Sequence, residues 1–384
     1  MLIDRRVIAH FDLPLFLVAM LIPTIGLVVQ YSAGYDPNGE GVSFWFLSQP
    51  ILSVPFVKQL TFLAIGLVAA LIGASLSSNF LNRWAYPLYW ITIVLLVAVL
   101  LFGTVSHGSR RWISLGGFNF QPAELAKVSV IFVLARYLSK VEMPRFGFTL
   151  KQLTMPGLLL GFPMALVMRQ PDLGTALSIG IIGASMILFV GIRPKVLASV
   201  ALIIIISGVP AWHSLYPYQQ RRILTLLDPA ADPRGSGYHV NQSKIAVGSG
   251  ELSGKGFLQG TQTQLEFLPE HTTDFVFSVL SEEWGFLGAV SVLGLYFLLL
   301  SLILRIGLRC RDFFSSLICF GVAVMLFFHM TVNIGMVLGL LPVVGLTLPL
   351  FSYGGSSMIM FMFSIGVVLG IGMRRFQFGA SGSR

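Results

Sequence analysis

The sequence predicts an all-α polytopic membrane protein, with about ten transmembrane helices and a large extracytoplasmic loop between the seventh and the eighth. Three observations predict it. Of the 384 residues, 55% are hydrophobic and only 11% charged, with a mean hydropathy of +0.83; soluble domains are about one-quarter charged, so lipid is the solvent this composition suits. Apolar runs of about 20 residues, the length that crosses the hydrocarbon of a bilayer, recur along the chain. Lysine and arginine gather on alternate connections between those runs.

The runs lie at approximately 13–33, 56–76, 86–103, 124–138, 153–168, 173–191, 196–213, 275–304, 314–340 and 353–373. The first follows Arg5 and Arg6 but is longer than the core of a secretory signal and lacks a small-residue cleavage site, so it counts as the first helix. With the N-terminus inside, basic residues such as Arg83, Lys140, Arg193, Lys195, Arg305, Arg309 and Arg374 outnumber Asp4, Glu142 and Asp312 on the cytoplasmic connections. Both termini are therefore expected in the cytoplasm. The net charge of +9 reports this topology, and nucleic acid is not an expected partner. Cys310 and Cys319 are too few for a disulfide scaffold and read as packing residues. No internal repeat divides the chain, so residues 1–384 form one transmembrane domain.

This topology leaves three informative segments outside: the loop at about 104–123 with Arg110, Arg111 and Trp112, the turn Arg169-Gln-Pro-Asp-Leu-Gly174, and the stretch 214–273. The last is far longer than a connection requires. Its Tyr218, Tyr238, Phe257, Leu265, Phe267 and Leu268 are candidates to pack it onto the membrane domain.

Asp274 stands at the outer mouth of the eighth span. At about 100° per residue, Asp274, Ser278, Ser281 and Gly285 fall on one arc of a helix, the pattern of a wall beside a hydrated cavity. A carboxylate there also suits a helix N-cap, and the two roles are compatible. Glu282 and Glu283 lie deeper, where each carboxylate costs roughly 2.5–3.5 kcal/mol on insertion and must face protein or water. Gln121-Pro-Ala-Glu-Leu-Ala-Lys127 opens the fourth span with Pro122 at the first helical position, Glu124 at the positive helix end and Lys127 one turn on. Beside that structural reading stands a functional one, in which Lys127, Arg110 and Arg111 form a cationic rim for a phosphate at the bilayer surface. The pieces Gly248–Gly256 and Ser352–Ser357 are glycine-rich enough to cradle phosphate through backbone N–H groups, but neither has the spacing of a nucleotide loop. The six histidines are scattered and no Cys/His spacing fits zinc.

With these pieces in view, the chain resembles the SEDS (shape, elongation, division and sporulation) family of bacterial cell-wall proteins over essentially its whole length. The resemblance runs through Arg111-Trp-Ile-Ser-Leu-Gly116, Phe120–Lys127, Gln170-Pro-Asp-Leu-Gly-Thr175, Leu227-Asp-Pro229, Gly237–Gly250, Asp274-Phe-Val-Phe277 and Pro349–Ser356, in that order. Gly260–Glu270 is similar to the elongation member more than to the division member. Two departures stand out: His271 comes one place earlier than the family pattern, and the first outer loop, about 34–55, is long.

The resemblance implies a peptidoglycan glycosyltransferase of the bacterial inner membrane that polymerises lipid II during elongation, with its active site on the extracytoplasmic side. A class B penicillin-binding transpeptidase and the elongation machinery are the implied partners. Asp274 carries over as the essential carboxylate, the general base for the attacking sugar hydroxyl. Arg111 and Lys127 are the expected cations for the departing pyrophosphate, with Glu124 and Ser278 as further substrate contacts; Glu266 and Glu270 are expected to couple to the transpeptidase. No cofactor is indicated, and a divalent cation stays open. The rival readings are a lipid II flippase, which also uses many helices and intramembrane carboxylates, and a scaffold that only recruits enzymes.

Overall fold

The computed structural model describes residues 10–35, 53–106, 109–115, 118–142, 147–228, 235–265 and 267–374. Each of the ten apolar runs is occupied by a helix: α1 (Leu13–Ala33), α2 (Val54–Ser75), α3 (Ser78–Phe102), α4 (Pro122–Lys140), α5 (Leu150–Arg169), α6 (Leu173–Val190), α7 (Pro194–Ser214), α11 (Val276–Leu308), α12 (Phe313–Val337) and α13 (Gly355–Arg374). Among the described residues, eight of these are long and apolar enough to cross a membrane. The other two differ from these and from each other. α4 carries Glu124, Lys127, Arg136 and Lys140, yet it is sheathed by other helices, with Val130, Ile131 and Leu134 fully buried. α7 stands away from the bundle and turns Ile203, Ile204, Ile205 and Ile206 outward.

Sequence explains the boundaries. Asp12 accepts the Leu15 N–H and Asp312 the Ser315 N–H, so a carboxylate opens α1 and α12. α3 starts at Ser78, well before the expected 86, because Ser77 caps it through the Phe80 N–H and the helix takes in Asn82 and Arg83 ahead of the apolar run. Small residues let α13 lie close against α2: a methyl group at Gly73 would stand 2.6 Å from the Phe363 carbonyl oxygen, and one at Gly370 2.7 Å from that of Ala74.

One end of the bundle is tied by basic residues. Arg305 pairs with Asp12 at 2.9 Å, Arg374 donates to the carbonyls of Ala74, Ser75 and Leu76, and Ser315 bonds Ser78 at 2.9 Å. At the other end the connections are structured. Within the expected loop at about 104–123, the described residues form a small antiparallel sheet of β1 (Thr104–Ser106), β2 (Ser109–Leu115) and β3 (Phe118–Phe120). The 214–273 stretch folds into α8 (Pro217–Leu227), α9 (Ser236–Ser249) and α10 (Thr261–Gln264). Of its expected anchors, Leu268 is buried and Phe257 stacks on Tyr31, whereas Leu265 and Phe267 are exposed. The side chain of Tyr218 and most of the first outer loop, 36–52, lie outside the described residues.

Candidate functional site

The chain approaches Asp274 through a tight turn. The N–H groups of Thr273, Asp274 and Phe275 all donate to the Glu270 carbonyl, at 3.1–3.2 Å, and the Thr273 hydroxyl donates to the Glu270 carboxylate at 3.0 Å. α11 begins only at Val276, with Phe275 as its N-cap and no side-chain capping bond. Asp274 therefore precedes the helix and does not cap it, which corrects the expected arc of Asp274, Ser278, Ser281 and Gly285. Two elements clamp the turn. Asn333 of α12 donates to the Asp274 carbonyl at 2.9 Å and to the Leu346 carbonyl at 2.8 Å, and the Tyr353 N–H donates to the Thr272 carbonyl at 2.9 Å. Gly345 (φ +72°) faces the carboxylate, where a Cβ would stand 3.5 Å from Asp274 Oδ2. Burial, then the charge of Glu270, raise the Asp274 carboxyl from its ordinary 3.8 to about 6; the Arg222 guanidinium and the Thr273 hydroxyl pull it back down.

Below Asp274 the helix is broken. Gly285 has φ +64° and ψ −162°, so Val276–Trp284 is a short segment of its own and the membrane-spanning length follows the break. The glycine-rich piece Gly250–Gly256 crosses this break and satisfies it: the N–H groups of Lys255 and Gly256 donate to the carbonyls of Glu282 and Glu283, and those of Phe286 and Leu287 to the carbonyls of Glu251 and Leu252. A methyl group at Gly254 would overlap the Glu283 carbonyl. Those N–H groups are thus spent on the backbone, which corrects the reading of Gly248–Gly256 as a phosphate cradle. Glu282 is buried and accepts from Lys255 Nζ at 2.6 Å and from the Thr261 hydroxyl and Gln262 N–H at 3.1 Å; Glu283 accepts from the Ser32 hydroxyl. Both carboxylates serve tertiary hydrogen bonding. Ser278 is buried against Ser243 of α9 at 2.8 Å and does not line an open cavity.

Of the expected cationic rim, Arg110 is exposed on β2, Arg111 is partly exposed and Lys127 is buried. Lys127 is 1% exposed, and its ammonium donates to Glu124 at 2.8 Å and to His329 Nε2 at 3.0 Å, beneath the Phe361 ring. Glu124 is buried with it. An ammonium one turn from a carboxylate on a sheathed helix finds that partner before it finds water. Arg111 donates to the carbonyls of Gln170 and Pro171 and lies 3.8 Å from Asp172, which also accepts from Gln121. Both residues thus tie walls together around the outer end of α4. The Ser352–Ser357 piece is likewise engaged: Gln59 donates to the Ser352 carbonyl, the Gly354 N–H donates to Gln59, and the Gln121 N–H donates to Ser356. Among the described residues no three His, Cys, Asp or Glu side chains are placed to hold a metal ion. Glu270 is exposed beside Asp274, and Glu266 lies outside the described residues. Sequence reasoning missed Asn333 and Gly345; the signals were a lone amide in an apolar span and a glycine in a proline-interrupted connection. An apolar groove of about 680 Å³ also runs between α11 and α12, lined by Val290, Gly294, Phe297, Ala323 and Phe327.

Fold and site together define a polytopic α-helical membrane protein with a carboxylate of raised pKa held at one mouth of its helix bundle. The chain belongs to the FtsW, RodA and SpoVE family of cell cycle proteins, whose model matches residues 12–376. It is similar to the peptidoglycan glycosyltransferase MrdB of Escherichia coli, 44% identical over 315 residues that cover 82% of this chain and 84% of that protein. Peptidoglycan glycosyltransferase RodA of Treponema pallidum is 29% identical, covering 96% and 99%. The rod shape determining protein RodA of Thermus thermophilus superposes with a TM-score of 0.70 at 32% identity, covering 96% of this chain and 98% of that one. A chain from a structure described as the coordination of polymerization and crosslinking by a peptidoglycan synthase complex superposes at 0.79 with 34% identity, covering 96% and 99%.

Proposed function

We propose that this chain is a peptidoglycan glycosyltransferase that polymerises lipid II, with Asp274 as its general base. Family membership and relatives named peptidoglycan glycosyltransferase support the activity. The observation that carries the mechanism is the Asp274 carboxyl, held by backbone bonds at a helix mouth and raised to about 6, so that near neutral pH it is ionised and still basic enough to take a proton. It removes the proton of the 4-hydroxyl of one sugar as that oxygen attacks the anomeric carbon of the other. The leaving group is a lipid-linked pyrophosphate, already a stable anion, so no second carboxylic acid is required to protonate it, unlike the pair that glycoside hydrolases use. Direct displacement inverts the anomeric centre and yields a β-1,4 glycan from an α-linked donor.

The positive-inside rule assigns the end tied by Arg305 and Arg374 to the cytoplasm and the Asp274 end to the outside of the inner membrane. A class B transpeptidase anchored by one transmembrane helix is the partner this reading expects. The groove between α11 and α12 suits such a helix, because Gly294 and Ala323 in its wall permit close approach. The test is to incubate purified protein with labelled lipid II. Wild type makes glycan polymer and Asp274→Asn makes none. Normal polymer from the Asn variant refutes the base assignment, and lipid II translocation in vesicles with no polymer from wild type turns the reading to a transporter.

A further inference from the structure

A pyrophosphate that departs from the carbon under attack must sit within a few ångströms of the attacking oxygen, and so close to the base. Its negative charge grows in the transition state, which calls for cations already in place. Two further cations flank the connection that faces Asp274. It leaves α12 at Gly339 (φ +66°) and reaches Gly345, beside the carboxylate. At its start Lys244 of α9 lays its ammonium over the turn, so that a Cβ on Gly339 would stand 2.6 Å from Nζ. Arg222 of α8 lines a small cleft with Val240, Gly339, Leu341, Pro342 and Val343. A lysine and an arginine from two other helices thus meet a connection whose far end faces Asp274.

The surrounding packing holds these groups together. Ser243, the neighbour of Lys244, bonds both the Val337 carbonyl, at 2.7 Å, and Ser278, one turn below Asp274. Arg222 is close enough to Asp274 to lower its carboxyl. The helix that bears Arg222 sets Arg221, Arg222 and Thr225 on one arc and Ile223, Leu224 and Leu226 on the other, the pattern of a helix lying in the interface at headgroup depth. A lipid-linked phosphate lies at that depth. Lys244 is exposed and Arg222 partly so, which leaves both within reach of a ligand.

We propose that Arg222 and Lys244 form an anion subsite that holds the donor's pyrophosphate as it departs, a placement that rests on the reading of Asp274 as the base. Arg222 supplies the planar fork that meets a phosphate through two hydrogen bonds, and Lys244 a point charge for the second phosphate. No covalent step involves either residue: the bond from the anomeric carbon to the phosphate oxygen breaks with its electron pair on the oxygen, and the two cations balance that charge.

The experiment measures binding apart from turnover. Full-length protein in lipid nanodiscs is titrated with a short-chain polyprenyl pyrophosphate, the matching monophosphate and the matching alcohol, in wild-type and Asp274→Asn backgrounds. Arg222→Gln and Lys244→Gln are each expected to weaken the pyrophosphate by about tenfold to a hundredfold, the monophosphate less and the alcohol not at all. Arg222→Lys should recover part of the loss. In turnover with lipid II, the Gln variants should lower kcat as well as raise KM, because the charge they meet is greatest in the transition state. Unchanged pyrophosphate binding in both Gln variants overturns the proposal, and so does an equal loss for all three probes, which marks a structural role. The binding result stands whether or not Asp274→Asn retains activity, so failure of the base assignment and failure of the subsite are told apart.

Discussion

Replacing Asp274 by Asn should abolish polymerisation and at the same time stabilise the protein. The carboxyl is raised from 3.8 to about 6, chiefly because its site removes water from the charge. A group whose folded pKa lies above its unfolded value binds its proton more tightly in the folded state. Stability then rises as pH falls through about 6 and levels off below about 4; above 6 the ionised carboxylate opposes folding in full. A shift of about two units corresponds to about 3 kcal/mol at pH 7.5. Asn keeps the shape of the protonated acid and never ionises, so it should recover most of that amount at pH 7.5 and almost none at pH 4. The assay is thermal unfolding of both proteins in one detergent at pH 7.5, 6 and 4, beside lipid II polymerisation on the same preparations. Wild-type polymerisation should fall about tenfold for each pH unit below 6. An unfolding midpoint that is unchanged or lower in the Asn variant at pH 7.5 would refute the reasoning, since it would mean the ionised carboxylate is not held at a cost.

Glu270→Gln removes a negative charge that raises the Asp274 carboxyl, so the acid limb of the rate profile should move to lower pH; a profile that stays in place or moves up contradicts this. Lys127→Met leaves Glu124 buried without its cation and should cost about 3–5 kcal/mol, seen as lost membrane abundance, while the double variant Glu124→Gln/Lys127→Met recovers most of it. Gly254→Ala drives a methyl group into the Glu283 carbonyl at the helix break and should sharply lower the unfolding midpoint, whereas Gly294→Ala, on the lipid-facing groove, should leave it nearly unchanged.

The aromatic and charged residues of the outer stretch take on a different meaning once it is folded. Besides the expected partner contacts Glu266 and Glu270, its residues build the mouth: Ser243 joins α9 to α11, Lys255 neutralises Glu282, and Glu270 gathers the backbone beneath Asp274. A partner that presses on this stretch meets the support of the base directly.

What the sequence by itself determined was whatever depends on local composition. Twenty apolar residues in a row must cross a bilayer or be buried, so all ten helices could be placed before any contact was known, and the short α4 was found despite its charges because Pro122 and Glu124 mark a helix start. Asp274 was legible because a carboxylate at the edge of an apolar run demands a reason. Tertiary structure decided everything that depends on partners distant in the chain. Lys127 was read as exposed because nothing local says that His329, some two hundred residues on, closes over it. The helical arc through Gly285 failed because a positive φ there is stabilised only by the crossing of Gly250–Gly256. The pairing of Arg222 and Lys244 at one turn required α8, α9 and the Gly339–Gly345 connection to meet. Hydropathy is a property of a segment and can be summed along it. A hydrogen bond or ion pair belongs to two segments, and only the fold states which two.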